Sequence, residues 1–282
     1  MLDTFINTFT KGDLFGLRSK LLHSTCWAQH NAKAFGEDKL QSIPLNWLTL
    51  AGRCKVESYQ NIVDGKQQVI NLRLMPENGK NLINYSFWLK TNGEVIKSVD
   101  ATIDTMQLAF STNQSTEKIM QELPQPDAFV IQDYDQQDHL QDELAKPSNI
   151  SSLDAAMAKV LDTWWSIWSK AQLSAIEEIY HPTAEINLPA NTASINSAGL
   201  FNFILAKFNR LTRNFCQLES IAVEGNQAAL KWHLDGDENG KKIRAPFVTI
   251  LTIENGKISK EITTTDILAY INRFSESELF NG

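Results

Sequence analysis

Cysteine is scarce in this chain and unpaired: three residues, Cys26, Cys54 and Cys216, stand far apart among 282. An odd, scattered set argues against a disulfide framework and supplies no Cys-x-x-Cys metal pair; it fits buried thiols in a reducing compartment. There is no His-Glu-x-x-His run either, so neither a metal nor another cofactor is expected. A glycine-rich strand-to-helix turn carrying lysine is also missing, which removes the phosphate loop. Positive charge is in deficit. The formal net charge of −7 argues against broad attraction to nucleic acid or an anionic membrane. Nowhere do apolar residues run uninterrupted for the roughly 18–20 positions that a membrane-spanning helix needs. The opening stretch, "MLDTFINTFTKGDLFGLRSK", has an early acid and no basic region ahead of an apolar core, so it does not read as a secretory signal. A cytoplasmic location is expected.

What is present is enough apolar material, 43% of residues, for one large core or two ordinary ones. The charge is unevenly spread. Residues 111–152 hold eight acids against two lysines, a net of −6 and nearly the whole charge of the chain. The Gln/Asp-rich heart of this stretch, "QDYDQQDHLQDELAKPSNISS", has too few apolar residues to offset the ordering of the chain. An acidic linker over 111–151 is expected, with an acidic docking strip as the alternative. A helix near "TEKIMQEL" could still pack on one side. The predicted domains are therefore 1–110 and 152–282.

The two sides share their landmarks in the same order. "FTKGDLFGL" at 9–17 lies above "WSKAQLSAI" at 168–176, and "HST" at 23–25 above "HPT" at 181–183. "ENGK" occurs at 77–80 and again at 238–241, and Asn92-Gly93 is matched by Asn255-Gly256. "IKSVDATID" at 96–104 is matched by "ISKEITTTD" at 258–266, each ending in Asp. The offsets stay between 158 and 163, which points to an ancient tandem duplication. Each half has the same grammar. In the second, apolar residues at 157, 160, 161, 164, 165, 167 and 168 have helical spacing, started by Ser152 or Asp154. "AQLSAIEEIYH" reads as a short helix ended by Pro182, with His181 at its end suiting the local dipole. "TAEINLP" is a short strand and "SAGLFNFILAKFNRLT" a third helix. Four longer strands follow, joined by turns of which Asn-Gly is the strongest hairpin signal. The first half begins with a shorter helix carrying Phe5, Ile6 and Phe9. Helices first and an antiparallel meander afterwards is an α+β pattern.

On "WSIWSKAQLSAIEEIYHPTAEINLP", the hairpin pair "ENGKKIRAPFVTILTIENGKIS" and a last strand ending at Asp266, the second half resembles the nuclear transport factor 2-like superfamily, particularly its SnoaL-like (polyketide-cyclase-like) branch. The resemblance covers about 153–275, and 2–110 follows it more loosely. It implies two tandem cone-shaped domains, each a strongly curved, mainly antiparallel sheet wrapped around N-terminal helices, with a pocket between. Isomerases, cyclases, hydrolases and plain carriers share that fold, so it does not name a function.

The resemblance marks Asp266 as the candidate catalytic acid at the end of the final strand. Its strand parity matches that of Ile258 and Ile262, which favours an inward direction and a base on an apolar wall. A strand-ending or capping role, shared with Asp104, is the alternative. Trp164, Trp168, Phe203, Trp232, Ile262 and Thr264 are the candidate ligand-binding residues; the tryptophans are equally readable as core. His233 alternates with Trp232 and so points away from the pocket. Departures from the family matter: Asn187-Leu188-Pro189 holds no acid, Pro246 stands where an acid would follow Arg244, and "TTT" at 263–265 replaces a tyrosine. In "APFVTIL" and "INYSFWL" both strand faces are apolar. The halves are therefore expected to pack sheet against sheet as an intrachain pseudo-dimer, giving a monomer in solution. Two functions fit. One is binding of a small apolar or partly polar molecule, with isomerase, cyclase or hydrolase chemistry. The other is a non-catalytic interaction or accessory protein that retains the fold with a degenerate pocket.

Overall fold

The computed structural model of the chain describes residues 1–29, 32–35, 46–122, 153–210, 212–238 and 241–266. They fall into two compact units, Met1–Asp142 and Glu143–Gly282. No helix among the described residues is long and apolar enough to cross a membrane.

The first unit opens with α1 (Leu2–Lys11), whose buried face is Phe5, Thr8 and Phe9. Gly12 ends it at φ 71°, a left-handed cap that a side chain would strain. Then come α2 (Leu14–Arg18), β1 (Leu21–Gln29), β2 (Ala32–Phe35) and a short α3 at 46–51. Two hairpins follow: β3 (Cys54–Asp64) with β4 (Gln67–Pro76), and β5 (Ile83–Asn92) with β6 (Val95–Ile103). Asp104 then caps α4 (Thr105–Thr112), its carboxylate accepting from the Gln107 N–H at 2.9 Å. This is the capping role open to that residue in sequence. The unit continues into the acidic stretch through α5 (Thr116–Glu122), whose last carbonyl accepts from Asn46 Nδ2 at 2.8 Å and whose Ile119 is buried. The heart of the acidic linker, 123–152, lies outside the described residues.

The second unit begins with α6 (Ala155–Lys170), capped by Asp154, which accepts from the N–H groups of Ala156 and Met157. A single turn at Leu173–Ala175 and α7 (Ile176–Ile179) lead into β7 (Tyr180–Asn187). His181 and Pro182 therefore lie in a strand and not at a helix end, which corrects the sequence expectation. Proline is tolerated because β7 is an edge strand, where a missing ladder donor costs little. His181 Nδ1 turns instead to the Thr183 hydroxyl at 2.8 Å. Helix α8 (Ser197–Arg210) precedes β8 (Thr212–Glu224), β9 (Gln227–Glu238), β10 (Lys241–Glu254) and β11 (Lys257–Thr265). Asn255 and Gly256, at φ 53° and 74°, make the tight β10–β11 turn that the Asn-Gly pair predicts.

The sheets are open and share one strand order: β2-β1-β6-β5-β4-β3 in the first unit and β7-β11-β10-β9-β8 in the second. In each, the first long strand runs parallel to the last and every other pairing is antiparallel. The register agrees in detail. Leu21 pairs with Ile96 as Tyr180 pairs with Ile258, and Trp27 with Val99 as Ile186 with Glu261. The slip between Lys90 and Thr91 recurs between Thr252 and Ile253. A bulge is costly to place by accident, because it reverses which residues face inward beyond it. Matching bulges make the duplication a structural finding and give a residue-by-residue map between the units.

Candidate functional site

Helix α6 and the inner face of the second sheet meet on a knot of indoles. Trp232 stands edge-on to Trp164 and Trp165, with ring centres 5.8 and 6.2 Å apart, lies 5.1 Å from Trp168, and stacks on Phe247 at 4.3 Å. Trp164 and Trp168 share a face of α6 because they are four residues apart, and the pairing of Trp232 with Phe247 puts both on one side of the sheet. Phe203 packs at the edge of this cluster from α8. Trp164, Trp168 and Trp232 are thus brought together in the core of the second unit.

A carboxylate sits in that core. Glu261 of β11 is wholly buried, and three donors converge on it: Trp164 Nε1 at 3.2 Å and the Tyr180 hydroxyl on Oε2, and the Thr263 hydroxyl at 2.9 Å on Oε1. Thr263 in turn lies 2.9 Å from the Thr249 hydroxyl, which accepts from Trp232 Nε1 at 3.0 Å. A carboxylate can only accept, so Glu261 orients this chain: Thr263 gives its one proton to the carboxylate and therefore accepts from Thr249. Burial nevertheless dominates. It raises the Glu261 carboxyl above the usual 4.5, against the three hydrogen bonds that favour the charged form. Tyr180 is raised as well, by its own burial and by the neighbouring carboxylate. The arrangement is a proton-holding group on an apolar wall, which general acid–base chemistry requires.

The sequence singled out Asp266, Ile262 and Thr264 for that wall, and the bulge at Ser259 reverses the direction of Ile262 and Thr264. Thr252 pairs with Lys260 but Ile253 with Ile258, so inward alternation counted from Ile258 passes to Glu261 and Thr263. Ile262 and Thr264 then lie on the opposite side of the sheet, and Asp266, also buried, lies just past the strand's end. Asn187 pairs with Ile262 and so shares that side. The missed residue is Glu261.

On the same outer side, Glu219 occupies the irregular position between the Leu218–Trp232 and Ser220–Lys231 pairs. That bulge aims its carboxylate at Lys231 Nζ (3.2 Å) and at His233 Nδ1 (2.9 Å), while His233 Nε2 lies 3.5 Å from Asp235. As read from alternation, His233 faces away from the indoles. Burial works to raise the Glu219 carboxyl, but the His233 hydrogen bond and the Lys231 charge outweigh it and hold the group at about 2. A depressed carboxyl stabilises the fold above its ordinary 4.5 and loses that contribution as pH falls towards about 2. Glu219→Gln should therefore flatten the acid limb of a urea-midpoint profile, and an unchanged limb would refute the pairing. Among the described residues no three His, Cys, Asp or Glu side chains gather into a metal-binding group. None of the three cysteines is in a disulfide, and burial pushes the Cys54 thiol up to about 12, too high for a nucleophile.

Residues 161–261 match the family model described as "SnoaL-like domain". The second unit is a SnoaL-like domain. The match ends at Glu261, so the indole helix and the buried carboxylate both belong to the SnoaL-like region. Among solved structures, a putative polyketide cyclase from Bacillus cereus ATCC 10987 is 19% identical, over 44% of this chain and 87% of that one, with a TM-score of 0.41. A putative SnoaL-like polyketide cyclase from Jannaschia sp. CCS1 is also 19% identical, over 42% and 93%, with a TM-score of 0.38. AclR, a putative hydroxylase from Streptomyces galilaeus, is 16% identical over 43% and 98%, with a TM-score of 0.38. No curated protein matches the chain in sequence.

The duplication map supplies an internal comparison for the SnoaL-like domain. Trp164, Tyr180, Trp232, Thr249, Glu261 and Thr263 correspond to Phe5, Leu21, Leu72, Phe87, Val99 and Ala101, all buried in the first unit. The first unit's interior is packed with rings: Phe5 on Phe87 at 4.6 Å, Tyr85 on Phe87 at 4.2 Å and Trp47 on Tyr85 at 5.1 Å. Within it, Gln29 accepts from Tyr85 at 2.6 Å and Trp27 at 3.4 Å. Every member of the carboxylate network is replaced by an apolar residue.

Proposed function

We propose that the SnoaL-like domain binds a small, largely apolar molecule among Trp164, Trp168 and Trp232, and that Glu261 is its acid–base group. The observation that carries this reading is the wholly buried Glu261, held by oriented donors in an indole-lined interior. A carboxylate costs stability there, and an apolar core of the first unit's kind shows that the fold does not need one. The chemistry open to such a group is proton transfer at carbon or oxygen of a bound molecule, the step common to isomerisation, cyclisation and hydrolysis. Since only one unit carries the network, one ligand per chain is expected. Titrating the protein with neutral bicyclic aromatics while following indole fluorescence tests this: a saturable change at one equivalent per chain supports it, and no saturable change for any of them counts against it.

The second reading, an accessory protein that retains the fold without chemistry, is favoured for the first unit by its ring-filled interior. We assign that unit a structural role beside the binding domain.

A further inference from the structure

Of the four indoles in this cluster, three have N–H groups with different fates. Trp164 donates to Glu261 and Trp232 donates to Thr249. Trp168 Nε1 is buried with no acceptor among the described residues. The nearby candidates are committed elsewhere: Oε1 and Oε2 of Glu261 receive Thr263, Tyr180 and Trp164, and Thr249 receives Trp232. Cys216 Sγ, 3.2 Å from the Trp168 carbonyl, donates to the backbone of the same residue and leaves the ring nitrogen unmet. Packing does not require the polar atom, since the corresponding residue of the first unit is the buried phenylalanine Phe9. A buried donor left unmet is costly, so its retention calls for an acceptor that arrives from outside the chain.

We propose that Trp168 is a specificity-determining residue, whose indole N–H selects a neutral ligand bearing a hydrogen-bond acceptor oxygen on an apolar body. This rests on the proposal above that the domain's interior binds a small molecule. The chemistry excludes the alternatives in turn. A plain hydrocarbon fills space and leaves the N–H unmet. A quaternary ammonium can face indole rings and a carboxylate, but it offers no lone pair to a donor. A carboxylate ligand would bring a second negative group close to the buried Glu261.

The test uses the full chain and three probes: α-tetralone, tetralin, which has the same skeleton without the oxygen, and tetramethylammonium. Wild type should bind α-tetralone about three- to tenfold more tightly than tetralin, the worth of one neutral hydrogen bond. In Trp168→Phe, which keeps a ring, the preference for α-tetralone over tetralin should vanish, whatever change in affinity the two probes share. A wild-type measurement independent of the variant's folding is nitrogen-15 labelling of tryptophan: one indole N–H proton should move downfield with α-tetralone and not with tetralin. Equal binding of both bicyclic probes, a preference that survives in Trp168→Phe, or tighter binding of tetramethylammonium would overturn the role of Trp168 while leaving a binding domain in place. Binding of none of the three would remove the binding reading and this one with it.

Discussion

Replacing Glu261 with alanine should lower the stability of the second unit by about 3–5 kcal/mol, the usual consequence of removing one partner from a buried hydrogen-bonded charge. Three donors, from Trp164, Tyr180 and Thr263, would face a void. Glu261→Gln is milder and more informative. Its amide oxygen can take the place of Oε2 for Trp164 and Tyr180. Its NH2 must then donate to Thr263, so Thr263 donates to Thr249, which accepts from both Thr263 and Trp232 and whose own hydroxyl proton is left unmet. That unmet buried donor costs about 1–2 kcal/mol. The pH dependence separates this from a simple packing change. The folded carboxyl is raised above 4.5, so the folded state holds a proton that the unfolded chain releases. Stability from Glu261 is complete below about 4.5 and falls as pH rises towards the folded value, at up to about 1.4 kcal/mol per pH unit. Urea midpoints of wild type should therefore decline over that window, while those of Glu261→Gln should not, and the gap between them should shrink with rising pH. Parallel profiles would show that Glu261 does not titrate against burial.

Glu219 and Glu261 also oppose each other. The first contributes stability that is lost on acidification below about 4.5, the second stability that is lost above it. They sit on opposite faces of one sheet, so their substitutions should alter opposite limbs of the same curve.

Much of this architecture was legible in the sequence because its determinants are local. The stripe through Trp164 and Trp168 needs only helical spacing, the β10–β11 turn only Asn255 and Gly256, and the duplication only five landmarks in order. Side-chain direction in β11 was not legible, for a physical reason. Alternation propagates from residue to residue, and one unpaired residue at Ser259 inverts everything beyond it. The sequence "KISKEITTTD" carries no mark of that slip, so Ile262 and Thr264 took the inward side that belongs to Glu261 and Thr263. A usable signal did exist. With the duplication in hand, position 261 holds glutamate where its counterpart at 99 holds valine, flanked in both copies by hairpin strands. An acid opposite an aliphatic residue in paired repeats marks either a surface position or a special interior one. Pairing with Leu251, a core residue, decides for the interior.

That comparison sets up the reciprocal experiment, in which the first unit should reject what the second accommodates. Val99→Glu places a carboxyl beside its cross-strand partners Trp27 and Leu89, where the Trp27 indole N–H is already given to Gln29. The expected loss is about 5 kcal/mol or more, comparable with the whole stability of many domains. Val99→Met, which adds bulk without charge, should lose only about 1–3 kcal/mol, so size and charge are separable. Rescue is the sharper test. Adding Phe5→Trp, Leu21→Tyr and Ala101→Thr to Val99→Glu rebuilds the donors at the positions the duplication map assigns to them. If the map and the donor network are right, the quadruple variant should recover part of the loss, although each added substitution alone should destabilise an interior packed for other shapes. The measurement is the urea midpoint of each variant by far-ultraviolet circular dichroism. Strictly additive losses, with no recovery in the quadruple variant, would mean that Glu261 is tolerated for reasons other than its donors. Recovery would mean that the difference between a filled scaffold and a domain holding a buried proton-transfer group rests on four side chains carried by one ancestral sheet and helix.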